Sequence, residues 1–200
     1  NPNTARPETI SNIVFMGMGE PLANLENIRK AIAVFTHPSG LQMSHRRITI
    51  STCGLIAGVR KLIEEGPPVR LAISLNSADT AAREYLMPVA KANPLDELHN
   101  ILEQYQRRYK KRITLEYVLI KGANDGPEDV QKLIEFSRGL HVIINLIPWN
   151  RVDDLPFTAP DQRRVSWFMR EVEKNGVKIT NRYSRGAGIQ GACGLLGDRC

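Results

Sequence analysis

Six short runs rich in Ile, Val and Leu alternate with segments of helical periodicity, and this alternation constrains the fold more than any other feature of the chain. The candidate strands are residues 10–16, 47–51, 69–75, 113–120, 142–147 and 177–183. Between them, helices fit 25–35, 55–65, 80–86, 95–109, 127–138 and 161–175. In the first of these, Leu25, Ile28, Ala31, Ile32 and Phe35 recur at helical spacing. Gly66-Pro67-Pro68 stops the second helix, Asp79 or Thr80 suits the cap of the third, and Asn93-Pro94 opens the fourth. Gly176 ends the last helix. Strands alternating with helices imply an α/β fold with a parallel sheet. Six strands suit a partial, TIM-like (β/α)6 barrel and are too few for a closed eight-stranded one; an open doubly wound sheet is the competing architecture. At 200 residues the chain can bury one substantial core. We divide it into a linker-like start at 1–10, a barrel at 11–184 and a glycine-rich tail at 185–200.

The net charge of +6 and pI of about 9.4 suit a polyanionic partner, because neutralising phosphates releases counterions. Basic residues cluster at Arg46-Arg47, at Arg107 to Arg112, at Arg163-Arg164 and at Arg182 with Arg185. Each cluster reads equally well as a solvated helix face. No apolar run nears the roughly 18 residues of a membrane span, so no membrane partner is expected. The three cysteines, Cys53, Cys193 and Cys200, are odd in number and scattered, which is no disulfide framework; a reducing cytoplasm is the simplest compartment. The four histidines stand apart, and no metal ligands are assigned. The polar start lacks an initiator Met, so the chain is expected to begin inside a longer protein.

In either architecture an active site forms at the C-terminal ends of the strands. Small, polar or glycine residues recur there, at Gly17-Met18-Gly19-Glu20-Pro21, Ser51-Thr52-Cys53-Gly54, Ser74-Leu75-Asn76 and Pro148-Trp149-Asn150. Together they resemble the lining of a polar ligand, although turns favour the same residues. Glu20 offers a carboxylate to an ammonium group, or is a solvated turn residue. Ser51, Ser74, Asn76 and Asn150 suit carboxylate, ribose or base edges, or helix caps. The glycine turn matches neither GxGxxG nor a P-loop. Cys193, within Gly191-Ala192-Cys193-Gly194 and near Arg185, is open to a large substrate and placed to favour a thiolate, or is an ordinary tail cysteine.

GMGEPLANLENI, RRITISTCGL, LAISLNSA followed by LMP, TLEYVLIKGANDG, INLIPWN and GACGLL occur in this order, from about residue 13 to about residue 197. As an ordered set they resemble the RlmN/Cfr-type radical S-adenosylmethionine (SAM) adenosine methyltransferases, which act on large-subunit ribosomal RNA and, in some members, on tRNA. The resemblance implies a partial (β/α)6 barrel of the radical SAM type, preceded by a first strand and an N-terminal domain that this chain lacks. It implies that Gly19 and Glu20 hold the SAM amino group, and that Ser51, Ser74, Leu75, Asn76 and Asn150 contact the rest of SAM. Cys193 matches the cysteine that takes up a methyl group, which a radical step then delivers to adenine C2 or C8. A 4Fe-4S cluster and an electron donor are implied with it. The family's CxxxCxxC cluster motif and its resolving cysteine are absent here and are expected upstream; Cys53, Cys193 and Cys200 lack cluster spacing. Asn76 stands where some members carry His, and Gly188 where many carry Asp. Without those upstream ligands the fragment is expected to be inactive. Two other readings are a radical SAM enzyme acting on a peptide or small molecule, and a non-catalytic RNA-binding module.

Overall fold

The computed structural model describes residues 10–17, 19–150 and 155–182. Six strands form one parallel sheet in the order β1-β2-β3-β4-β5-β6: Ile13–Phe15, Ile48–Thr52, Arg70–Ser74, Ile113–Leu119, Val142–Pro148 and Ile179–Asn181. The crossovers carry α1 (Leu25–Thr36), α2 (Ile56–Glu65), α3 (Thr80–Leu86), α4 (Leu95–Tyr109), α5 (Pro127–Ser137) and α6 (Gln162–Lys174). Each strand is added beside its predecessor in one direction. A doubly wound sheet must reverse direction once, so the sequential order selects the barrel-type winding. Right-handed crossovers laid in one direction also put every helix on the same face of the sheet.

That face carries the core. Ile48 and Ile50, Leu71 and Ile73, Leu115 and Tyr117, and Ile144 and Leu146 alternate along their strands and pack against Ile32, Leu62, Leu98, Leu133 and Phe168 of the helices. Each such fully buried side chain stabilises the fold by about 1.5–3 kcal/mol. The opposite, lumen-facing side carries a polar row between apolar ones such as Val118 and Ile147. In register across it lie Ser74, Glu116, Asn145 and Thr180, with Ser51 one row below beside Ala72.

The expected elements form with shortened edges. Residues 10–16 yield only Ile13–Phe15, and 177–183 only Ile179–Asn181 within the described residues. Both are edge strands, and Ile10 and Met16 lie 63% and 40% exposed beyond the pairing. Three 3-10 turns, Pro21–Asn24, His45–Arg47 and Pro88–Ala92, were not legible as elements. Asp79 does cap α3, accepting from the Ala82 N–H. Asn93 precedes α4 but serves another helix: its buried Oδ1 accepts from Ile56 N–H at 2.8 Å, capping α2. Asn124, fully buried in the predicted turn, donates to Asn76 O and Val118 O and accepts from Ile120 N–H, which ties the end of β4 to the end of β3. The tail at 185–200, with Cys193 and Cys200, lies outside the described residues.

Candidate functional site at the strand ends

The loop after β1 is organised by Glu20. Its Oε1 accepts from Leu22 N–H at 2.9 Å, capping the Pro21–Asn24 turn, and its Oε2 accepts from Cys53 N–H at 2.8 Å. The carboxylate is therefore no solvated turn residue: it joins the end of β1 to the end of β2. Each oxygen keeps a lone pair for a further donor. Gly19 precedes it at φ +124°, a conformation that side chains resist, and nothing lies within 4 Å of where a Cβ would sit. The backbone there is open to close approach.

At the end of β2 the Cys53 thiol is half-buried. Burial, and then the Glu20 carboxylate beside it, push its pKa up to about 12. Both effects disfavour the thiolate, the reactive form. Behind it Arg83 is 1% exposed, donating Nη2 to Cys53 O at 3.0 Å and Nη1 to Asn93 O at 3.1 Å. Gly54, at φ +90°, gives this guanidinium room: a Cβ there would lie 3.1 Å from Nη2. A fully buried arginine was not anticipated, because AAREYL reads as an exposed helix turn.

The remaining residues expected to touch SAM gather at the same pole with unequal freedom. Ser51 is buried and Ser74 half-buried on the lumen face, and neither hydroxyl is bonded to another described residue. The Leu75 side chain belongs to the core, its N–H donates to Glu116 O, and its carbonyl accepts from Ser77 N–H. Asn76 adopts φ +57° and uses its side chain internally: Oδ1 accepts from Val118 N–H at 3.1 Å and Nδ2 meets Met87 Sδ at 3.1 Å. Asn150, half-buried, is the second residue after β5.

Glu116 is the site residue that the sequence reading missed. It is 7% exposed on the lumen face between Ser74 and Asn145, and its Oε2 accepts from Asn145 Nδ2 at 2.7 Å. Burial raises its pKa; the Asn145 bond and the Arg182 charge offset part of that rise. Alternation of Thr114, Glu116 and Val118 with core residues was the available signal, since a parallel strand with a polar face is unusual unless it lines a lumen. In the unfolded chain this carboxyl ionises at the ordinary carboxylate value. The stability its neutral form contributes is thus present below that value and lost as pH rises through the raised one. Glu116→Gln, which stays neutral and still accepts from Asn145, is expected to have a higher urea midpoint than the parent at pH 7. The gap should close towards pH 4. A lower midpoint at pH 7 would show that the charge itself stabilises the fold.

The basic clusters do not converge on this pole. Arg46, Arg70 and Lys111 meet at the opposite, N-terminal ends of β2, β3 and β4, where burial and then the two arginines lower the Lys111 pKa. Arg164 lies over the Trp167 ring at 4.9 Å. Of the described cluster residues, Arg182 stands near the strand-end site, and Arg164 Nε lies 3.8 Å from Asp125 Oδ2 in the loop after β4. A surface cavity of about 740 Å³, lined by Arg29, Lys30, His45, Lys61 and Glu65, lies on the helix layer outside the lumen. The site is therefore located by its position in the fold and by its chemistry, not by cavity size. Among the described residues no helix is long and apolar enough to cross a membrane.

Comparison with known proteins agrees with this geometry. The family model described as the radical SAM superfamily matches residues 5–136. A Treponema denticola protein and an Aquifex aeolicus protein, both named "Probable dual-specificity RNA methyltransferase RlmN", are 48% and 45% identical over 94% of this chain. The alignments cover 54% and 56% of those two proteins, so the chain spans about half the length of the curated relatives it matches. A crystal structure of a radical SAM methyltransferase from Sphaerobacter thermophilus superposes with a TM-score of 0.90 at 37% identity, over 94% of this chain and 55% of that one.

Proposed function

The chain belongs to the radical SAM superfamily, and from that premise we propose that the whole protein methylates an adenosine base of RNA, with large-subunit ribosomal RNA as the first candidate substrate and tRNA as the second. The observation that carries the reading is the convergence of Gly19, Glu20, Ser51, Ser74 and Asn150 on one pole of a polar lumen, in a chain that resembles named RNA methyltransferases.

The residues fit SAM. Open space at Gly19, a fixed carboxylate with lone pairs to spare at Glu20, and two hydroxyls not bonded to another described residue match a ligand with ammonium, carboxylate and ribose groups. When bound, SAM supplies an electrophilic methyl group and the precursor of a hydrogen-abstracting 5′-deoxyadenosyl group. The chain's own residues then have distinct tasks. Glu20 takes the ammonium, and its two backbone bonds keep the carboxylate from turning away. Ser51 and Ser74 present hydroxyls from the lumen wall, and Asn150 closes the β5 side. Asn76 shapes the β3 end through its bond to Val118, and Leu75 contributes by anchoring that end in the core. Cys193 carries the methyl group on its sulfur, a soft nucleophile suited to a carbon electrophile. Among the described residues no group of three His, Cys, Asp or Glu is arranged to hold a metal, so no step is assigned to a cluster on them. The reading places the 4Fe-4S ligands upstream, draws electrons from a cytoplasmic donor, and makes this portion alone inactive.

The test uses the full-length protein with its iron–sulfur complement, SAM, a reductant, and ribosomal RNA or tRNA transcripts. Digestion to nucleosides and mass spectrometry should reveal a methyladenosine that depends on enzyme and reductant. SAM cleavage with unmodified RNA and a modified peptide would move the protein to the peptide-modifying reading.

A further inference from the structure

A run of aromatic rings leads outward from the strand ends. Trp149, the residue after β5 and before Asn150, meets Phe157 edge to face at 5.4 Å and 78°. Phe157 meets Tyr85 in the same way at 6.1 Å and 86°. The run is seated on the site itself. Trp149 N–H donates to Leu119 O at 3.0 Å, and the segment of Phe157 crosses the end of β4, where Lys121 N–H donates to Thr158 O. Tyr85 stands on α3, two residues from the buried Arg83, and Met87 in the following turn touches Asn76.

Tyr85 is 69% exposed, the largest exposure of any large hydrophobic side chain among the described residues. An edge-to-face contact engages only the edge or one face of each ring, so Phe157 leaves at least one face of this exposed ring uncovered. A flat ring with an open face, held at the rim of a site by a second ring, is the arrangement that recognises unstacked nucleobases. Resting on the RNA methyltransferase reading above, we propose that Tyr85 stacks on a nucleobase of the RNA substrate that neighbours the target base. The neighbour is the fitting partner because the reacting base must enter the lumen lined by Ser74 and Glu116, whereas Tyr85 stands outside it, beyond Phe157. Tyr85 is thereby a specificity and positioning residue: it holds the strand splayed so that the target base can enter.

The experiment measures RNA affinity of the full-length protein for a stem-loop containing the target adenosine, and for versions with a single abasic nucleotide at each flanking position. Tyr85→Ala is expected to raise Kd by about five- to a hundredfold, the usual cost of losing one stacked base. Tyr85→Phe, which keeps the ring, should stay within about twofold of the parent, an effect too small to represent loss of a stacked base. At one flanking position the abasic RNA should weaken binding to the parent but not to Tyr85→Ala. Equal affinity of Tyr85→Ala and parent, or additive losses at every abasic position, overturns the stacking role and leaves the methyltransferase reading standing. A shift in oligomeric state in Tyr85→Ala with unchanged Kd also overturns it, by making the ring a protein contact. Failure of the parent to bind any of the RNAs overturns both.

Discussion

Arg83→Ala is expected to lower the folding stability of the protein by about 3–4 kcal/mol, read as a shift in the urea midpoint. The side chain is 1% exposed, and its two described bonds go to carbonyls, Cys53 O and Asn93 O. A buried cation without a carboxylate is costly, and burial lowers its pKa. Guanidinium tolerates such a place because it is weakly hydrated and its fork reaches two acceptors at once. Alanine leaves the buried Asn93 carbonyl without this donor, at about 1–3 kcal/mol, strips the part-buried Cys53 carbonyl of its own, and opens a cavity beneath the end of β2. Arg83→Met fills the cavity without a charge and should recover part of the loss. The damage reaches the site. Cys53 and Asn93 each have a second task, Cys53 N–H holding the Glu20 carboxylate and Asn93 Oδ1 capping α2. The alanine variant should therefore also bind SAM more weakly at temperatures where it is folded. A midpoint shift worth less than about 1 kcal/mol would mean that the two carbonyls find other donors.

The contrast between Arg83 and Glu116 shows how far the sequence could be read. Hydrophobic periodicity placed the strands and helices because each strand has one face in the core. The rule that parallel sheets bind ligands at their C-terminal strand ends then assembled Gly19, Glu20, Ser51, Ser74 and Asn150 without a structure. The same period of two assigns Leu75 to the core face of Leu71 and Ile73, so its side chain cannot line the lumen. Glu116 was within reach by that logic, as a carboxylate on the lumen face of a parallel strand. Arg83 was not. Its burial depends on two carbonyls 30 residues before and 10 residues after it in sequence, and only the packing of α3 over the end of β2 brings them together. Asn93 shows the same limit: its place before α4 suggests a cap for that helix, and its side chain turns back to α2. Local propensity cannot see such choices, because both depend on which neighbouring element the packing brings within reach with an unsatisfied backbone group.

Cys193→Ser in the full-length protein is expected to reduce RNA methylation by at least about a thousandfold, to background, with SAM affinity and thermal stability unchanged. The argument is chemical. A methyl carrier must attack carbon as an anion. A cysteine thiol ionises readily enough near neutral pH to supply thiolate, whereas a serine supplies almost no alkoxide. Cys53 is the rival thiol on the page, and its environment removes it. Burial and the adjacent Glu20 carboxylate push its pKa up to about 12, so very little of it is thiolate at pH 8. Cys53→Ala leaves intact the backbone N–H that holds Glu20, so it should retain most of the activity. Peptide mass spectrometry on the parent after incubation with SAM should find the added methyl on the peptide containing Cys193. A methyl on Cys53 or Cys200 instead, or robust methylation by Cys193→Ser, would end the carrier assignment. Loss of activity in Cys53→Ala with Cys193 still methylated would instead show that the thiol at the end of β2 matters after the methyl has been taken up.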